Sequence, residues 1–385
     1  MMMENRLAAL IAENIASANT YGSSVDENDN SKKVKCITFL QYMQACLYDE
    51  QYGYYRSGPV RVGKEGDFYT SSGIGQVLAE VLAKYALAYE TREDVTLKLI
   101  EWGAGTGRLS AQIAAAGCER DVEWNRKMQS ILIEDHPAHS QAAQNSFAHI
   151  SCLSGTTPLV VSSDDAWDSS LLRELALVLA NELLDAFPVH RVQLVNGELV
   201  ELGVAGNDVH GFYEVQMPLT DTRIIDWLIR DGIQLLEGQQ IEVHAGAFDF
   251  LKRLGAVMTR GRIVIIDYGH EAEEYAAEHR MLGTLMCYSH HQTNTNPYNR
   301  IGEQDITSHV PFTFIRHAAE ESGFQVASYM TQKQFLIENG VMDMLQNHNS
   351  TDPFSKEARM NRAIRQLLLS DQMSEAFKVM VLDKV

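Results

Sequence analysis

The sequence predicts an α/β fold: a mostly parallel sheet covered by helices on both faces, with an N-terminal helical extension and an inserted β-meander. Three observations predict it. Short apolar runs alternate with amphipathic stretches between residues 95 and 147, and apolar runs return near 175 and 262; this is the rhythm of strand–helix–strand units. The run ending at Leu99-Ile100-Glu101-Trp102 stops at Gly103-Ala104-Gly105-Thr106-Gly107, a glycine turn that opens a helix. Residues 190–217 break the rhythm with Asn196-Gly197 set between two alternating runs, a hairpin signal.

Each element follows from local pattern. Residues 4–18 read as a short helix, and residues 19–33 as a polar, turn-rich flexible loop. Ile37, Leu40, Met43 and Leu47 repeat at helical spacing over residues 37–48. Gly53 to Gly66 reads as a glycine-rich loop and residues 74–90 as a helix. Val95, Leu97 and Leu99 then mark one face of a strand. Leu109, Ile113 and Ala116 face inward on the following helix, Ser130–Ile133 forms a second strand, and residues 138–147 a helix. The apolar run 175–180 suits a buried strand, although periodicity alone also admits a helix start. Arg262–Ile266 is another buried strand, and Gly211–Val215 completes the meander.

Composition excludes several classes. With 385 residues, 45% apolar and 22% charged, the chain reads as globular rather than disordered. At roughly 150 residues per domain it has room for two to three structural units. A net charge of −19 would repel nucleic acid and anionic membranes, and it suits a cationic substrate. No uncharged apolar run reaches the ~18 residues of a transmembrane helix. The start lacks a secretory signal's long apolar region, so the chain reads as soluble and cytoplasmic. Five scattered cysteines without a Cys-x-x-Cys pair argue against a disulfide framework and for a reducing compartment. None of the 13 histidines has accompanying ligands at metal spacing, so no metal is expected. Neither a Gly-x-Ser-x-Gly elbow nor a Walker loop is present.

Three motifs remain. The glycine turn fails the dinucleotide fingerprint in both registers, because Arg108 or Ser110 stands where the third glycine belongs. Glu101 beside it would repel a pyrophosphate, and it suits a nucleoside ligand with a positive group, such as S-adenosylmethionine. Glu134 ends the second strand, where an acid accepts hydrogen bonds from ribose hydroxyls. Asn181-Glu182-Leu183-Leu184-Asp185 follows the 175–180 run, at the strand end where open α/β sheets bind ligands. There Asn181 could orient a substrate nitrogen while Glu182 and Asp185 receive positive charge. The same residues also fit a helix start, with Asn181 as cap and two acids in the first turn.

Together these segments make the chain similar to the MidA family of S-adenosylmethionine-dependent methyltransferases, whose mitochondrial members are protein arginine methyltransferases that assist respiratory complex I assembly. The resemblance runs over residues 37–340. It is carried in order by Tyr52-Gly53-Tyr54-Tyr55, Gly66-Asp67-Phe68-Tyr69-Thr70-Ser71, Glu101 to Gly107, Ile133-Glu134, Asn181 to His190, Ile266-Asp267-Tyr268-Gly269, Gly283-Thr284-Leu285 with Tyr288 and His291, and Gly302 to Val310. The chain departs from the family pattern at Ser72, Gly73, Trp102, Ala104, Gln112, His136 and Pro311.

The resemblance implies a Rossmann-like class I methyltransferase sheet. It implies that Thr70, Ser71, Glu101, Gly103, Gly105, Gly107, Glu134 and Asn181 bind S-adenosyl-L-methionine. It implies methyl transfer to an arginine of a protein substrate, with Asn181, Glu182, Asp185 and His309 acting on the acceptor. The expected division is an N-terminal extension with a pocket-covering loop over 1–90, a core of 91–188 and 245–385, and an inserted β-rich subdomain over 189–244. No nucleic acid and no membrane insertion are expected, and a homodimer is left open. The alternative reading is an assembly factor that binds the cofactor and a partner protein without turnover.

Overall fold

A computed structural model of the chain describes residues 5–24, 33–58, 72–93, 95–148, 150, 157–289, 292–346, 352, 355–369 and 375–385. The chain divides into two compact units. One comprises Met1–Gly58, Leu184–Phe250 and Gly269–Ala318; the other comprises Pro59–Leu183, Leu251–Tyr268 and Ala319–Val385.

The second unit is built on one sheet, whose strands in chain order are β1 (Leu97–Trp102), β2 (Met128–Ile133), β3 (Leu159–Val161), β4 (Ala176–Asn181), β5 (Gly261–His270), β6 (Gln325–Thr331) and β7 (Phe377–Lys384). Their spatial order is β3-β2-β1-β4-β5-β7-β6. Pairings from β3 through β5 are parallel, and β7 runs antiparallel to both β5 and β6. Chain order reverses between β1 and β4, so a crevice opens at their carboxyl ends. The apolar run 175–180 is thus a strand, paired on both sides.

β1 is buried at every position, not on one face. Even Lys98 is buried, with its ammonium 2.9 Å from Glu174. A central parallel strand has helices over both faces, so its polar positions must also be covered and paired. Leu97, Leu99, Leu177 and Leu179 share one core with Val77 and Leu82 of the helix Ser72–Glu93, with Ile113 of Arg108–Arg120 and with Ile364 of Lys356–Leu369.

In the first unit a six-stranded sheet joins Thr20–Ser24 and Lys33–Thr38 to His190–Val195, Glu198–Asn207, Gly211–Met217 and Gln240–Val243. Asn196 and Gly197 turn the expected hairpin with φ of 53° and 77°, the left-handed pair that a tight two-residue turn requires. Glu198–Asn207 pairs with both Lys33–Thr38 and Gly211–Met217, so part of the sheet closes on itself. The expectation of a flexible loop over 19–33 is therefore corrected at its start. Thr20–Ser24 is a strand because Lys33–Cys36 on one side and Val215–Gln216 on the other take up its backbone groups. That pairing partner lies far along the chain, beyond the reach of local pattern.

The helix Phe39–Tyr48 begins at a reciprocal cap: Thr38 Oγ1 accepts the Gln41 N–H, and Gln41 Oε1 accepts the Thr38 N–H. A small three-stranded sheet (Met286–Ser289, Gln292–Asn294, Asp305–Thr307) completes this unit. Among the described residues no helix is long and apolar enough to cross a membrane. Cys36, Cys46 and Cys287 are buried free thiols, and Cys118 is disulfide-bonded.

Candidate functional site

The glycine turn after β1 has a left-handed backbone at Gly103, Gly105 and Gly107, with φ of 69°, 54° and 67°. A side chain at Gly103 would also meet steric resistance, since a Cβ there would lie 2.9 Å from Leu183 Cδ1. The turn is pinned to β2, for Ile133 O accepts the N–H groups of Gly103 (2.9 Å) and Ala104 (3.1 Å). It leads directly into the helix Arg108–Arg120, whose cap residue Gly107 supplies no side-chain acceptor.

Two acids flank this turn. Glu101 is 5% exposed and accepts hydrogen bonds from the Ser110 hydroxyl and N–H. Burial pushes its carboxyl up to about 7, against the pull of the Ser110 bonds. Glu134 Oε2 accepts the Gly105 N–H at 2.6 Å, and its Oε1 accepts the His136 N–H at 2.8 Å. His136 in turn caps the helix Pro137–Ser146, its Nδ1 accepting the Ala138 N–H, and stacks on His139 with ring centroids 4.3 Å apart. Nearby, Trp102 and Trp167 pack at 4.4 Å, and Arg253 covers Trp167.

Asn181 is the last residue of β4 and is half-buried. Glu182 is exposed and left-handed, with φ of 49°. Its N–H donates to Ile266 O at 2.8 Å, and the Leu183 N–H donates to Asp267 Oδ2 at 3.2 Å. Residues 182–187 form bends and a turn rather than the helix start that their composition also allowed. Glu101, Gly103, Gly105, Gly107, Glu134 and Asn181 thus all stand at the carboxyl ends of β1, β2 and β4 in one unit. Thr70 and Ser71 lie outside the described residues.

Asp185 and His309 belong to the first unit, where distant motifs meet. Asp185 is buried, and its carbonyl accepts the Ser308 N–H at 3.0 Å. Tyr55 OH donates to Asp305 Oδ1 at 2.6 Å; burial, with Asp305 and Asp185 close by, holds its phenol well above the usual range. The His309 N–H donates to Thr284 Oγ1, whose hydroxyl and backbone N–H both bond Glu242 Oε2. Burial lowers the His309 imidazole to about 4, with His270 and Arg280 adding to the shift. Tyr55, Asp305, Ser308 and Glu242 were not singled out from sequence; only the recurrence of Tyr55 and Asp305 within quoted motifs hinted at them. An open cavity of about 610 Å³ in this unit is lined by His190, Thr220, Thr38 and Gln41 among others, and by none of the expected site residues.

A family model of S-adenosyl-L-methionine-dependent methyltransferases matches residues 76–330. The chain belongs to this family. The methyltransferase is 28% identical over 312 residues to the mitochondrial protein arginine methyltransferase NDUFAF7 homologue of Drosophila melanogaster, covering 74% of this chain and 67% of the relative. It is 25% identical over 365 residues to mitochondrial NDUFAF7 of Danio rerio, covering 89% and 82%. A crystal structure of a Burkholderia thailandensis protein bound to S-adenosyl-homocysteine superposes with a TM-score of 0.82 at 28% identity, covering 98% of this chain and 91% of that one. The class I fold, the enzyme class and the cofactor stand on these likenesses together with the strand order above. The expectation of a cytoplasmic protein is overturned, because the relatives are mitochondrial proteins and point to mitochondria instead.

The residues present fit the cofactor. The left-handed turn at Gly103, Gly105 and Gly107 carries no side chains, so a ligand could approach its backbone closely. Glu134 has lone pairs that could take hydroxyl donors beside its two backbone bonds, and Glu101 would offer a second acid to a cationic group.

Proposed function

We propose that this methyltransferase N-methylates an arginine side chain of a protein. The observation that carries the reading is Glu182: an exposed acid, next to Asn181, at the β4 end whose following residue, Leu183, packs on the glycine turn. The relatives' names as protein arginine methyltransferases support it, as does a net charge of −19, which favours a basic partner.

S-adenosylmethionine, when bound, supplies a methyl group on a sulfonium. In our reading Glu134 holds the ribose hydroxyls, Glu101 faces the amino group, and Gly103, Gly105 and Gly107 admit the ligand to the backbone. A guanidinium has a pKa above ~12 and arrives charged. Glu182 holds that charge and takes the proton that the nitrogen loses, while Asn181 orients the nitrogen in line with the methyl. We assign Asp185 and His309 positioning roles within the first unit.

The test is transfer of isotope from labelled S-adenosylmethionine to protein in a cell extract, compared with Gly105→Val. Label above the Gly105→Val level, recovered as methylarginine after hydrolysis, supports the reading; label on no protein, or on another residue type, overturns it.

A further inference from the structure

We infer that Asp267 is a positioning residue for methyl transfer, setting the turn that carries Glu182 and, through Leu183, the glycine turn that receives the cofactor. The cofactor half of this inference stands on geometry alone; its acceptor half rests on the role proposed for Glu182.

Asp267 sits on β5 directly after Ile266, with no solvent exposure. Its two carboxylate oxygens hold backbone N–H groups: Oδ2 accepts from Leu183 at 3.2 Å and Oδ1 from Tyr268 at 2.9 Å. The neighbouring Ile266 carbonyl accepts the Glu182 N–H at 2.8 Å. Two consecutive N–H groups leaving β4 are therefore held by two consecutive residues of β5. Between them Glu182 adopts φ of 49°, a conformation that an L-residue with a Cβ leaves unless its surroundings fix it. The clamp is what fixes it.

The effect reaches the cofactor turn through Leu183. Its Cδ1 fills the space beside Gly103, 2.9 Å from where a Cβ would stand. Leu183 is thus held at its backbone by Asp267 and presses with its side chain on the first glycine of the turn. Releasing the Leu183 N–H lets both surfaces move: the exposed acid on one side and the glycine turn on the other. Asp267 itself, fully buried, touches neither cofactor nor acceptor in this scheme.

Affinity for S-adenosyl-homocysteine, measured by calorimetry on the full chain, tests the cofactor half. Asp267→Ala should weaken binding about tenfold, the loss expected when one charge-assisted hydrogen bond goes. Asp267→Asn has one carbonyl oxygen for the two N–H groups, its NH2 facing the other, and should fall measurably between the parent and Asp267→Ala. Because the effect travels through Leu183, either substitution should cost little further affinity in a Leu183→Ala background. Equal losses in both backgrounds, or unchanged affinity in Asp267→Ala, overturn the cofactor half. Should Asp267→Ala not fold, the Asp267→Asn comparison across the two backgrounds decides. For the acceptor half, isotope transfer at saturating cofactor should fall at least tenfold in Asp267→Ala and recover in part in Asp267→Asn. Unchanged transfer at saturation overturns that half and leaves the cofactor half standing. A parent protein that labels no protein while binding S-adenosyl-homocysteine overturns the arginine reading and with it the acceptor half.

Discussion

Glu134 Oε2 accepts the Gly105 backbone N–H at 2.6 Å, so the acid ending β2 holds the middle of the glycine turn that follows β1. One carboxylate therefore orders the turn and still has lone pairs left for a ligand's hydroxyls. Glu134→Ala should weaken S-adenosyl-homocysteine binding by about ten- to a hundredfold, from roughly 1.5–3 kcal/mol of lost charge-assisted bonding. Glu134→Gln, with one remaining carbonyl oxygen, should fall between. Calorimetric dissociation constants for the three proteins check this.

Gly103→Ala carries two penalties. The backbone at φ 69° disfavours any L-residue by about 1–2 kcal/mol, and the new methyl meets Leu183 Cδ1. We expect a lower melting temperature and at least tenfold weaker cofactor binding. Adding Leu183→Ala should relieve only the steric share, so the double variant should bind cofactor more tightly than Gly103→Ala and never regain the parent's affinity.

Glu101 predicts a pH dependence of both stability and binding. Its carboxyl is raised from its usual 4.5 to about 7 by burial. Between those values the folded protein holds a proton that the unfolded chain has released. The associated stability is complete below pH 4.5 and lost as pH rises to 7, at up to ~1.4 kcal/mol per pH unit. Glu101→Gln should therefore melt higher than the parent at pH 8, with the gap closing towards pH 5. A cationic cofactor favours the carboxylate, so binding at pH 6 should release close to one proton, fading by pH 9. Calorimetry in buffers of different ionisation enthalpy measures that proton.

His309 and His244 shift in the opposite sense. Burial lowers them to about 4 and about 3, so both stay neutral well below the range where an unfolded histidine protonates. Their contribution is complete above pH 6.5 and declines as pH falls through that value towards their folded ones. Denaturant titrations should show stability rising from pH 4.5 to 6.5, where the two histidines outweigh the opposite loss at Glu101, with a shallower slope in His309→Gln. A profile of methyl transfer against pH should show no inflection near 6.5 that His309→Gln removes.

Glu182→Gln separates acceptor from cofactor. An exposed acid that holds a guanidinium contributes to acceptor binding and transfer, not to the adenosyl site. We expect unchanged S-adenosyl-homocysteine affinity and at least tenfold slower label transfer to protein. A matching loss of cofactor affinity would place Glu182 in the cofactor site instead.

Much of the cofactor end was legible because its signals are local. Gly103, Gly105 and Gly107 announce a sharp turn by composition, and the apolar runs on either side announce the strands. Glu134 was legible by its place at the end of the second run. The turn at Glu182 was not. Its sequence fits a helix start equally well, and what forbids the helix is Ile266 and Asp267, the latter 84 residues from the Leu183 it holds. Tyr55 and Asp305, joined across 250 residues, were present in the quoted motifs without any sign that they touch.

By itself the sequence determined the alternation of strands and helices, the glycine turn and the acids that end β1 and β2, because hydrophobic period and backbone freedom are properties of neighbouring residues. Only the tertiary structure decided the strand order, the strand at Thr20–Ser24, the raised carboxyl of Glu101 and the left-handed Glu182. Each of those depends on which distant backbone group or buried surface comes alongside, and burial and pairing across the fold are set by the whole chain at once.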